Sequence, residues 1–179
     1  MRVVTHSGKF HADDVLAWAL LCYFHPQRSS LSLTRTRDID IIQTAEIVFD
    51  VGGLYDPSLG RFDHHQNEYT GPLSSAGMVL QWLLTSNWID PTLGKMMDHE
   101  IVSYVDDVDN GRIEERPSVP CFSKMVNLFN APAQTLQDFD DQFQLATKIA
   151  TGIIEGIVSR HRKEEEARQL VLNTMNMTR

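Results

Sequence analysis

Short apolar runs alternate with polar clusters through the first part of the chain. Arg2 to Thr5 reads as a short buried strand ending at His6, and Ser7-Gly8-Lys9 as a loop. From Ala12 to about His25, apolar residues at Val15, Leu16, Ala19, Leu20 and Tyr23 fall at helical spacing, and Pro26 closes the helix. Leu31 to Arg35 alternates apolar and polar positions as a strand does. Ile47-Val48-Phe49 is a β-branched and aromatic run, and Asp50 with Gly52-Gly53 predicts a tight loop after it. Strand, helix, strand and strand in this order predict an α/β fold. Its core is an open, mostly parallel sheet with right-handed crossovers and helices on both faces, followed by C-terminal helices.

Farther along, Ser74 to Leu84 predicts a helix capped by Ser74 or Ser75, and a second helix runs from about Pro91 to Val105. Arg112 to Pro132, with Pro117, Pro120 and Pro132, reads as an irregular surface connection or hinge. From Asp140 onward, Phe143, Ala146, Ile149, Ala150, Ile153, Ile154 and Ile157 predict another helix. Gly152 and Gly156 weaken it by roughly 1 kcal/mol each relative to Ala, and close packing against a neighbour is the expected compensation. Arg160 to Glu166 is a charged, solvated stretch, with a final helical piece beyond. The expected organisation is a main domain over residues 1–132. A helical segment over residues 133–179 packs on it or serves as a linker.

Composition narrows the function. A chain of 179 residues with 42% hydrophobic residues can bury a core. A net charge of −8, from 16 basic and 24 acidic side chains, argues against a broad basic groove for duplex nucleic acid. A phosphate substrate stays compatible, because bound cations reverse the sign of a site locally. Cys22 and Cys121 form no CxxC pair, which favours a reducing compartment. The longest apolar run, Val15 to Phe24, is far short of a membrane span, and the N-terminus has no signal-peptide pattern. The expectation is a cytoplasmic protein with no membrane partner.

The candidate chemistry sits where the apolar runs stop. His6 follows the first strand and Asp50 the later one, while His11 and Asp13 open the first helix. Asp63-His64-His65 comes soon after, and Asp106, Asp107 and Asp109 close the second helix. In an open α/β sheet, ligands bind beyond the carboxyl ends of the strands. Taken singly, each residue has a bland explanation as a cap, a turn-former or a solvated acid. Two adjacent histidines behind an aspartate rarely serve packing. Imidazole and carboxylate without thiolate suit Mn²⁺ well, and also Mg²⁺, Fe²⁺, Co²⁺ or Zn²⁺. A carboxylate between two such ions can bridge them. His25, His99 and His161 lie outside these clusters.

Asp63-His64-His65 resembles the signature of the DHH phosphoesterase superfamily, which includes family II inorganic pyrophosphatases and oligoribonucleases. Further motifs resemble, within it, the melanocyte-proliferating-gene family, whose eukaryotic members act as 3′–5′ RNA exonucleases. They are Thr5-His6-Ser7-Gly8-Lys9-Phe10-His11-Ala12-Asp13, Arg35-Thr36-Arg37-Asp38, Asp50-Val51-Gly52-Gly53, Tyr55-Asp56-Pro57, Arg61-Phe62-Asp63-His64-His65-Gln66, Leu73-Ser74-Ser75-Ala76-Gly77 and Val108-Asp109-Asn110-Gly111.

The resemblance implies a DHH-type domain holding two divalent cations, Mn²⁺ first and Mg²⁺ as the alternative. His6, His11, Asp13, Asp50, His64 and Asp106 are its metal ligands, with Asp109 the alternative to Asp106. Asp50 bridges, and His65 acts with it in catalysis by orienting the nucleophile or polarising a phosphate oxygen. Lys9, Arg37, Gln66, Asp109 and Asn110 contact substrate. For Arg37 an ion pair with Asp38 is the structural alternative. Members are usually longer and carry a second domain, which is expected to be absent here, so short oligonucleotides or a small phosphodiester replace long RNA. The implied partner is a phosphodiester: RNA, a short oligonucleotide or a nucleotide. A second chain, in a homo-oligomer, could supply the missing wall. Pyrophosphate or a cyclic dinucleotide is the alternative substrate, and a non-catalytic metal-binding module is the alternative to an enzyme.

Overall fold

The computed structural model describes residues 1–115 and 119–177, the last by its backbone alone. The strands are β1 (Arg2–Thr5), β2 (Ser32–Arg35), β3 (Ile47–Phe49), β4 (Tyr55–Asp56) and β5 (Arg61–Phe62). They form one sheet in the order β2-β1-β3-β5-β4. β1, β2, β3 and β5 pair in parallel, and β4 runs antiparallel to β5 at the edge. The helices are α1 (Ala12–Phe24), α2 (Ile39–Thr44), α3 (Ser75–Thr85), α4 (Pro91–Met97), α5 (Ser103–Asp109), α6 (Phe122–Phe129) and α7 (Leu136–Met177). The fold is the expected α/β class.

The period-2 alternation of the strands divides the core. Val3, Ile47 and Phe49 point into the large cluster, where α1 contributes Val15, Leu16, Ala19 and Leu20 and α3 contributes Met78, Val79 and Leu83. Val4 and Val48, paired in register, face the other way onto Ile42 and Ala45, so α2 and the residue after it cover that face. Because β1, β3 and β5 are parallel neighbours, their carboxyl ends open on one edge, where His6, Asp50 and Asp63 follow directly.

Several elements depart from the sequence pattern. β4 and β5 are two-residue strands, too short to show alternation. The helix from Pro91 does not stop near Val105: it passes through a π-helical turn at Asp98–Val102 and continues to Asp109. The stretch expected to be irregular holds α6, which lies between Pro120 and Pro132 and buries Phe122 and Val126 one turn apart. Pro117 lies outside the described residues.

The last helix is one element of 42 residues, about 63 Å long, and the charged stretch at Arg160–Glu166 is part of it. Straight-chain charged residues are good helix formers, and Arg160–Glu164 and Arg168–Glu165 pair along its surface. Gly152 and Gly156 are exposed, and a Cβ at either position would meet nothing within 4 Å. Close packing therefore does not explain them. Burial of Phe143, Ala146, Ala150, Ile154 and Ile157 on the rest of the fold carries the helix past them.

Candidate metal centre

The strand ends and two helix ends deliver the site. His6 ends β1 and is 3% exposed, and Asp50 follows β3 at 4%. Asp50 adopts φ 56°, a left-handed conformation that Asp tolerates better than most residues. Gly52 at φ 98° and Gly53 at φ 67° complete the turn. The Gly53 amide donates to the Asp63 carboxylate at 2.6 Å, which ties this loop to the one after β5. Strain concentrated in this way is common where side chains are held for function.

Asp50 faces both ways. Its Oδ2 lies 3.1 Å from His6 Nε2, and its Oδ1 lies 3.4 Å from His64 Nε2. Around His64 Nε2 also stand Asp109 Oδ2 at 3.2 Å and Asp13 Oδ2 at 3.7 Å. The His64 ring is set by Asn110, whose Oδ1 lies 3.2 Å from Nδ1, leaving Nε2 for the carboxylates. His6, His11 and Asp50 offer ligand atoms within 4.8 Å of one another, as do His11, Asp13 and Asp109.

Most expected ligands therefore meet: His6, His11, Asp13, Asp50 and His64. Asp106 does not join them. Its Oδ1 accepts from the Ser74 amide (3.0 Å), the Ser74 hydroxyl (2.6 Å) and the Gly77 amide (3.1 Å). It thus caps the start of α3 across space, in place of Ser74's own hydroxyl. Burial pushes its carboxyl up to about 6 against the pull of those donors. Asp109, one turn later on α5, is the acid that reaches His64. Asn110, expected at the substrate, instead spends its Nδ2 on the Pro72 and Asp106 carbonyls and its Oδ1 on His64.

The remaining expected contacts surround this cluster. Arg37 lies with its guanidinium 3.3 Å from His6 Nδ1. Asp38 caps α2 through the Asp40 amide. Lys9 and Arg37 line one cavity with His6, His11, Asp50 and His65. Gln66 has a buried Oε1 without a hydrogen-bond partner. His65 is bound through Nδ1 to Asp63 Oδ1 at 2.7 Å, with 61% of its side chain exposed. Asp63 is thus a holder of His65 and of the Gly53 loop.

Two positions escaped the sequence reading. Asp14 is fully buried, accepts from the His11 and Val15 amides at 2.9 Å, and sets Oδ2 3.1 Å from His6 Nε2. Its only signal was the acid at the third helical position, which reads as an ordinary cap. Asn130 on the far side is also buried: its side chain accepts from the Phe10 amide at 3.0 Å and donates to the Phe10 carbonyl at 2.8 Å. It pins the loop that carries Lys9 and His11.

The cluster is strongly coupled electrostatically. Burial, together with the Asp50, Asp109 and Asp14 charges, raises the Asp13 carboxyl well above its usual range, and burial and Asp50 raise Asp109. Burial disfavours charged His6, yet Asp14 and Asp50 override it and lift the imidazole to about 10. His64 is raised in the same sense. Burial would raise Asp50, but the His6 and His64 imidazoles hold it well below the usual carboxylate range. Asp13 Oδ1 is buried with no hydrogen-bond partner, and Asp14 Oδ2, Asp50 Oδ1 and His64 Nε2 are buried with imidazole–carboxylate contacts of 3.1, 3.2, 3.4 and 3.7 Å around them. Buried orphans of this kind cost free energy unless something pairs with them, and nitrogen with carboxylate oxygen is a donor set that fits divalent cations.

Fold and site together define an α/β protein with a histidine–carboxylate centre, able to hold metal ions, at the carboxyl edge of a mostly parallel sheet. Residues 2–179 match the MYG1 exonuclease family, described as Uncharacterised protein family (UPF0160), and the chain belongs to that family. It is 35% identical over 173 residues to a MYG1 protein of Chlamydia trachomatis, covering 97% of this chain and 59% of that relative. It is 37% identical over 134 residues to the MYG1 exonuclease of Homo sapiens, covering 62% of this chain and 35% of that one. A MYG1 protein of Caenorhabditis elegans is 32% identical over 173 residues, which is 79% of this chain and 50% of the relative. The chain thus spans less than two thirds of the length of these relatives. No solved structure matches it. No helix among the described residues is long and apolar enough to cross a membrane.

Proposed function

We propose that this chain is a divalent-metal-dependent phosphoesterase of the DHH type that hydrolyses phosphodiesters in RNA or short oligonucleotides. The observation that carries this reading is Asp50, which turns one oxygen to His6 and the other to His64. Such a carboxylate would be shared between two ions. One ion would be held by His6, His11 and Asp50, the other by Asp13, Asp50, His64 and Asp109. The name exonuclease carried by relatives supports a nucleic-acid substrate. When bound, such a pair supplies an acidified water near neutral pH and neutralises charge at phosphorus, with Mn²⁺ the best match to the ligands.

The chain's own groups do the rest. Asn110 holds the His64 ring through Nδ1, so its Nε2 is oriented in advance, while the Asp14 and Asp50 carboxylates converge on His6 Nε2 where an ion would sit. Lys9 and Arg37 bind and orient the phosphate oxygens from the cavity they line. Asp63 fixes Nδ1 of His65, which leaves Nε2 to hold or deliver a proton at the reacting phosphate.

With Mn²⁺, purified protein should release nucleoside monophosphates from short single strands, read by chromatography. His64→Ala should lower both ion binding and turnover by more than about 100-fold, the loss typical of an outer-shell partner alone. A loaded protein that cleaves no oligonucleotide, pyrophosphate or cyclic dinucleotide would instead mark a non-catalytic metal-binding module.

A further inference from the structure

The loop that carries Lys9 and His11 is held by side chains from far along the chain. The Phe10 amide and carbonyl are both bound by Asn130, just beyond α6. The Gly8 carbonyl accepts from Arg35 Nη2 at 2.8 Å. Arg35 ends β2, in register with Thr5 of β1, and its side chain is 3% exposed. Its Nη1 donates to Asp140 Oδ1 on α7, also at 2.8 Å. One guanidinium therefore spans the loop and the helix. Its carbon lies 4.6 Å from the centre of the Phe143 ring and 5.4 Å from that of Phe10. Those two rings are fully buried and meet edge to face at 5.5 Å.

Packing alone does not call for an arginine here. An apolar side chain between Phe10 and Phe143 would avoid desolvating a charge and could be as stable or more so. Arg35 Nε is buried with no hydrogen-bond partner, a further cost of the arrangement. What the guanidinium supplies is direction. Its planar fork fixes a carbonyl at one end and a carboxylate at the other, which the single nitrogen of a lysine cannot do. The loop needs such a hold, because Lys9 and His11 are both exposed and little packing places them. Lys9 lines the cavity assigned to phosphate, and His11 offers a ligand atom beside those of His6 and Asp50 and of Asp13 and Asp109. Where these two side chains stand is therefore decided by how the backbone between them is held.

We infer that Arg35 is a positioning residue for the metal centre: it fastens the 8–11 loop to α7, so that α7 sets where His11 and Lys9 stand. Asp140 is its anchor on the helix. α7 is then part of the frame of the centre and not an appendage or a linker. The inference rests on the metal-dependent reading for what His11 does. It adds two residues that act on the centre only through the loop.

Three variants of the full chain test this apart from turnover. Asp140→Ala removes the anchor, Asp140→Asn keeps an acceptor for Arg35, and Arg35→Lys removes the fork. In metal-free protein, hydrogen exchange at the Phe10 and His11 amides, read by NMR, should be about tenfold faster or more in Asp140→Ala and Arg35→Lys, with Val3 and Val4 unchanged. Mn²⁺ affinity by calorimetry should fall about 10–100-fold in the same two variants, the range for groups that orient a ligand, and Asp140→Asn should recover most of it. In a His11→Ala background neither change should cost further affinity, because both act through one ligand. Glu100→Gln, which breaks the pair that Arg160 of α7 makes with the π-helical turn, should alter none of these readings. Should Arg35→Lys not fold, Asp140→Ala carries the same readings from a side chain that is 42% exposed. Unchanged exchange at Phe10 and His11, an equal rise at Val3 and Val4, or affinity losses that add in the His11→Ala background would overturn the positioning role. Loosened loop amides in a chain whose unmodified form binds no ion would leave the tether to α7 standing and count against the metal centre.

Discussion

Asp50→Asn should abolish ion binding and phosphodiester cleavage while leaving the fold intact. The amide matches the carboxylate in size, and Asn tolerates the left-handed φ of 56° as well as Asp does. Backbone strain is therefore unchanged, and the Asp50 amide still donates to the Phe62 carbonyl. What is lost is one negative charge shared between His6 and His64. An amide presents a single acceptor oxygen and turns N–H donors toward the other side, so it cannot serve two cations at once. Charge stabilisation of several kcal/mol disappears from the transition state, and kcat/KM should fall about a thousandfold or more. Calorimetry with Mn²⁺ and an oligonucleotide assay read the loss, and thermal unfolding without added metal checks that the fold survives. Retained activity would remove Asp50 from the bridging position.

Gly77→Ala should be the most damaging single methyl in the core around the site. A Cβ at Gly77 would overlap the Asp106 carboxylate, whose Oδ1 gathers the Ser74 amide, the Ser74 hydroxyl and the Gly77 amide. Moving the carboxylate aside leaves buried donors unpaired at about 1–3 kcal/mol each. It also uncaps α3, whose next residue, Ser75, donates its hydroxyl to Asp13 at 2.7 Å. A loss of about 3–5 kcal/mol is expected, or roughly 10 °C in Tm for a chain of this size. Gly152→Ala supplies the contrast: that site is exposed and open, so the change should stabilise by up to about 1 kcal/mol. Equal effects at the two glycines would show that Gly77 owes nothing to Asp106.

The sequence made the apolar skeleton legible and the polar geometry only partly so. β1 and β3 are short continuous buried runs, and α1 carries apolar residues at helical spacing, so all three can be read without a partner. The edge on which His6, Asp50 and Asp63 meet followed from the parallel order of those strands. Asp14 was hidden because a buried carboxylate at the third helical position has the same letter as an exposed cap. The choice between Asp106 and Asp109 turned on the π-helical turn at Asp98–Val102, which changes the face that each acid presents. Nothing local announces a turn of that kind. α6 was masked by flanking prolines that bound it instead of breaking it. Its role depends on Asn130 reaching Phe10 across 120 positions of sequence, a contact no local window contains.

The most direct measurement is anomalous diffraction from crystals of the full chain grown with Mn²⁺. Two peaks about 3.5–4 Å apart are expected, one against His6, His11 and Asp50, the other against Asp13, His64 and Asp109, with Asp50 touching both. A lone ion bound elsewhere, or an ordered Asp50 in contact with neither peak, would contradict the shared-carboxylate centre.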